Sequence, residues 1–153
     1  MILSALALCP VATVAEGSAS VFVVVVSPDV PVSSMSFDDL HRIFLFREQY
    51  WKQGHPVRVL FSEDALEPGS LLLERIYRMD FASLRRMILE KLYQGEINMA
   101  PKVVAADKLA VEYVGAGQGL IAIVEARSVQ GKSVKVVSIN GTLPGGDGYA
   151  LRR

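Results

Sequence analysis

The sequence has 153 residues, the size of one domain able to bury a real core. Hydrophobic residues make up 51% and charged residues 21%, a globular composition and not a disordered one. Sixteen basic residues balance sixteen acidic ones, so no overall field draws the chain to nucleic acid or to an anionic membrane, and neither partner is expected.

Residues 1–20 open the chain with a short apolar stretch, Met1–Ala15, followed by small residues at Ser18-Ala19-Ser20. The pattern matches the apolar core and cleavage region of a secretory signal peptide, although the basic residues that usually precede such a core are missing. A first buried segment of the fold is the competing reading. Export to the periplasm or beyond is the expectation, with the mature chain beginning near Glu16 or Val21. The run is interrupted by Pro10 and too short to span a bilayer, so no transmembrane helix is expected. Cys9 is the single cysteine, which excludes an internal disulfide and a multi-cysteine metal site.

Residues 21–139 then read as one α/β domain. Val21–Val26 is a continuous β-branched and aromatic run, the pattern of a strand covered on both faces. Ser36 is placed to cap a helix whose apolar face is Leu40, Ile43 and Phe44, with Asp39 completing a capping box. Gly54-His55-Pro56 breaks the chain before a second strand, Val57–Phe61. Pro68-Gly69-Ser70 starts another helix, with Leu72, Leu73, Ile76 and Tyr77 as its stripe. Asp80 caps a helix running to about Tyr93 and closed by Gly95. Asp107 caps the last helix, which the glycines at 115, 117 and 119 end. Leu120–Val124 and Val134–Ile139 are the remaining strands. Helices alternating with buried strands imply a mixed or parallel sheet flanked by helices, with Val21–Val26, Val57–Phe61 and Leu120–Val124 as neighbours. Residues 140–153, rich in glycine, are expected to be a loose tail.

Catalysis finds no support in these residues. His41 lies on a helix and His55 in a turn, neither beside a nucleophile and an orienting acid. No two His or Cys residues stand at metal-ligand spacing, and Glu63, Asp64 and Glu67 do not follow a calcium loop. Gly115-x-Gly117-x-Gly119 follows a helix and precedes a strand, the reverse of a dinucleotide-binding turn. No enzyme, cofactor or metal is expected. One place offers ligand chemistry: the strand ending at Ser62 leads to the helix start at Gly69, Ser70 and Leu71. Backbone N–H groups and a serine hydroxyl there could hold an anion, or Ser70 could serve only its own helix.

The order of residues resembles the phosphate-binding proteins of bacterial ABC transporters. The resemblance is carried by Leu40-x-x-Ile43-Phe44-Leu45, Trp51-x-x-Gly54-x-Pro56-Val57, Pro68-Gly69-Ser70 with Arg75-Ile76-Tyr77, Leu92-Tyr93-Gln94-Gly95 with Pro101, and Gly119–Val124. It implies a periplasmic-binding-protein-like fold of the second type and a non-covalently bound phosphate or similar oxyanion. It also implies a site at Ser62, Gly69, Ser70 and Leu71, and an ABC permease or other envelope protein as partner. Departures from the family pattern are Phe46 for a glycine, Gln53 for an acid, Ala122-Ile123 for Gly-Tyr, and no arginine before Gly69. These departures favour the alternative, an accessory or interaction module on the same fold that has lost anion binding. By the same resemblance Trp51 is a packing residue at a helix-to-strand corner.

Overall fold

The computed structural model describes residues 20–153. The expected signal segment lies outside the described residues, apart from Ser20.

The apolar run near the start of the described chain forms β1 (Phe22–Val26), and its side chains serve two cores. Val24 and Val26 point into one cluster and Val23 and Val25 into the other, as the two-residue period of a strand requires. That is why the sequence shows no polar alternation here. The other strands are β2 (Ser34–Met35), β3 (Arg58–Ser62), β4 (Lys102–Val104), β5 (Leu120–Glu125) and β6 (Lys135–Ile139). They make one six-stranded sheet in the order β2-β6-β1-β5-β3-β4. The sheet is mixed: β1 runs antiparallel to β5 and β6, whereas β3 is parallel to both β4 and β5. β1, β5 and β3 are adjacent, as the sequence implies.

Helices cover both faces. On one face α1 (Phe37–Phe44) buries Leu40, Ile43 and Phe44, and Ser36 and Asp39 form the capping box expected of them. On the other, α3 (Asp107–Ala116) packs Ala110, Val111 and Val114 against Val23, Val25, Leu60 and Val124. The helix α2 (Phe81–Tyr93) is capped by Asp80, whose carboxylate accepts the Ser83 N–H at 2.7 Å.

Three features differ from the sequence expectation. The segment after Ser70 is not an α-helix but a six-residue π-type turn, Leu72–Tyr77, closed by Arg78 in the left-handed conformation. Asp107 is the first residue of α3 and not its cap, which is Ala106. The stretch from residue 140 to 153 is docked, not loose. Tyr149 and Leu151 are buried in the core that α1 covers, at 5% and 0% exposure. The Phe22 N–H donates to the Leu151 carbonyl at 2.9 Å, and the Arg153 N–H to that of Ser20 at 3.0 Å. The glycines at 145, 146 and 148 supply turns, while the two large side chains anchor the end of the chain.

Candidate functional site

Parallel pairing gives β3, β4 and β5 a common direction, so their carboxyl ends meet at one end of the sheet. In open α/β sheets this is where ligands bind, because the chain turns outward there and helix starts come next. Ser62, Asp64, Asp107 and Glu125 all sit at these ends.

Asp107 holds them together. It is buried, at 7% exposure. One carboxylate oxygen accepts the Ser62 hydroxyl of β3, and the other accepts the Glu125 N–H of β5 at 2.7 Å. Its own N–H donates to Asp64 at 3.1 Å. Burial pushes the Asp107 carboxyl above the usual aspartate range. The bonds from Glu125 and Ser62 oppose that push, and the charges of Asp64 and Glu125 add to it.

Over these groups lies a crevice of about 610 Å³. Its carboxylates are Asp64, Glu67, Asp107 and Glu125, and its cations are Lys108, Arg127 and Arg153. Most of the acids are already engaged. Asp64 and Asp107 accept bonds from within the protein, and Glu125 pairs with Arg127 at 2.7 Å. Lys108, in the first turn of α3, and Arg153, on the docked tail, join no ion pair among the described residues.

The four residues singled out from the sequence divide. Ser70 reaches the crevice, while Ser62 lies behind its wall at 1% exposure. Gly69 turns the chain at φ +78° beside a separate shallow pocket, and Leu71 is buried in the core. Both hydroxyls are committed inside the chain. Ser62 donates to Asp107 and accepts the Ala65 N–H at 3.1 Å. Ser70 donates to the Ala65 carbonyl at 2.6 Å and accepts the Leu73 N–H at 3.3 Å. Ser70→Ala should therefore lower stability by about 1–2 kcal/mol, since a buried carbonyl loses its donor. Urea unfolding of the variant checks this; stability equal to the parent's would mean that the Ser70 hydroxyl closes no structural bond.

The residues that sequence reasoning missed are Asp107 as a clamp and Lys108, Arg127 and Arg153 as a cationic rim. Asp107-Lys108 at a helix start was the available signal. Nothing local announces Arg153, which arrives by long-range docking of the tail. The histidines stand elsewhere: His41 Nε2 is 2.7 Å from the Ile76 carbonyl, and the His55 carbonyl accepts the Trp51 N–H. Among the described residues no three His, Cys, Asp or Glu side chains are grouped to hold a metal.

No family model matches the sequence, and no curated protein matches it. Solved structures do. An ABC-type phosphate transport receptor from Vibrio cholerae matches with TM-score 0.56 at 19% identity, over 82% of this chain and 48% of the receptor. PstS from Borrelia burgdorferi matches with TM-score 0.61 at 17% identity, over 88% and 55%. A Clostridium perfringens protein assigned as a phosphate ABC transporter substrate-binding protein, with bound phosphate, gives 0.65 at 14% identity, over 88% and 53%. The chain has the periplasmic-binding-protein-like fold. It spans about half the length of the structures it matches.

Proposed function

We propose that this chain is an exported solute-binding protein that holds phosphate or a similar small oxyanion non-covalently in the crevice at the carboxyl ends of β3, β4 and β5. The observation that carries the reading is a pair of cations there without an ion-pair partner. Lys108 and Arg153 line the crevice in no ion pair among the described residues, beside four acids of which Glu125 alone is paired with a cation, Arg127. The start of α3 adds the positive end of a ten-residue helix. In this reading the anion rests on the rim formed by Lys108, Arg127 and Arg153 rather than on Ser62, Gly69, Ser70 and Leu71. The fold likeness to phosphate receptors supports the ligand class, and it makes an ABC permease the natural partner for uptake. No helix among the described residues is long and apolar enough to cross a membrane.

Replacing Lys108 or Arg153 by Ala should each weaken phosphate binding about three- to tenfold, the loss of one charge-assisted contact at a partly exposed rim. Equilibrium titration at fixed low ionic strength measures it; affinities indifferent to both changes would sink the rim as the site.

A second reading has its own observation. Both serine hydroxyls of the expected anion turn are consumed by internal bonds, and acids surround them. An accessory module on the same fold, without anion binding, fits that arrangement.

A further inference from the structure

The engaged carboxylate at the floor of the crevice bears on binding. Asp107 lines the crevice and is held only by neutral donors, the Ser62 hydroxyl and the Glu125 N–H. No cation pairs with it among the described residues. The charged groups around it come from every neighbouring element. Asp64 comes just after β3 and Glu67 lies in the next loop; Glu125 ends β5 and Arg127 is two residues beyond; Lys108 is next on α3, and Arg153 comes from the tail. Three of these are acids and three are cations, so the cations do not outnumber the carboxylates around Asp107, and an entering anion adds one more negative charge beside it. Like charges at close range favour protonation of the group that is buried most.

We propose that the crevice takes up a proton on Asp107 as it binds its anion, so that affinity rises on acidification. The inference rests on the anion reading given above. Linkage makes the effect reciprocal: acid strengthens binding by the same factor by which the anion draws a proton. The direction without ligand agrees, because burial already raises the Asp107 carboxyl above the usual aspartate range. In the free protein the ionised group therefore costs stability as pH rises above that range, and acidification restores it.

The test is titration of the full chain with sulfate and phosphate from about pH 6.5 down to about pH 4.5, a range that lies above the usual aspartate value and in which sulfate keeps its charge. Wild-type affinity for sulfate should rise several-fold across the range, approaching about tenfold per pH unit if one whole proton is taken up. Asp107→Asn should bind more tightly than wild type at the upper end and lose most of the slope. Because Asp107→Asn removes a clamp and could unfold the protein, wild-type calorimetry in two buffers of different ionisation enthalpy gives a second readout. It should show net proton uptake. Binding with a slope that survives in Asp107→Asn, or with no proton uptake, overturns the linkage alone. Binding of neither anion at any pH overturns the anion reading with it.

Discussion

Val24→Asp should unfold this protein or come close to it. Val24 has no exposed surface, and β1 is flanked on both sides, with Val24 opposite Ile123 of β5 and Val137 of β6. A carboxylate there would lie among apolar side chains with its neighbours' backbone donors already in the ladder. Burying an unpaired polar or ionic group in such a place costs about 4 kcal/mol or more, a large part of an ordinary domain's total stability. Val103→Asp is the contrasting change. Val103 lies on the edge strand β4 and is 47% exposed, so the cost there should stay below about 1 kcal/mol. Thermal unfolding of both variants decides it, and a Val24→Asp protein melting with its parent would remove β1 from the centre of the sheet.

Gly119→Ala should be the second most damaging of these changes. Gly119 sits where α3 returns into β5 and has φ +68°, a conformation that strains any residue with a Cβ. An added Cβ would also stand 2.5 Å from the Pro56 carbonyl oxygen, a backbone atom that cannot swing aside. Three bonds pin the site. The Gly119 carbonyl accepts the Trp51 indole N–H at 3.1 Å and the Arg58 N–H at 3.0 Å, and its N–H reaches Asp29 at 3.2 Å. Conformational strain and the clash together should cost about 2–4 kcal/mol. Gly54→Ala isolates the strain, since Gly54 has φ +83° and nothing within 4 Å of the added Cβ. It should cost about 1 kcal/mol. Equal losses for the two variants, read by urea unfolding, would mean that the corner between β3 and β5 yields.

The same corner shows what was legible in the sequence. Trp51, Gly54, Pro56 and Gly119 carry the family resemblance, and all take part in this junction, with Trp51 buried at 6% as a packing residue. β1 and β5 were readable because each is five or six residues of nearly unbroken apolar chain, and β3 and β6 because Val59, Leu60 and Phe61, and Val136, Val137 and Ile139, make up most of each. β2 and β4 were not. At two and three residues they are too short to show a period, and only their ladder partners define them. Nor could strand direction be read, since apolar continuity does not separate β1, which is antiparallel to both neighbours, from the parallel β3.

The site was less legible than the fold. Ser70 was open to two readings, an anion donor or a residue serving its own helix start, and its hydroxyl accepts the Leu73 N–H and closes onto Ala65. Asp107 looked like an ordinary helix cap, yet it reaches sideways to two strands that are distant in sequence. Arg153 lay in a stretch whose glycines suggested looseness, while Leu151 two residues before it fixes the tail in the core. Each miss has the same cause. A hydrogen bond or a buried side chain contributed from far along the chain redefines a residue whose local pattern is ordinary.

Calorimetry of the full chain with phosphate, sulfate and a neutral sugar at millimolar concentrations tests the central claim most directly. Saturable heat from an oxyanion, weakened by added salt and absent for the sugar, is the expected result. Heat from neither anion would contradict the solute-binding account and leave the accessory module in its place.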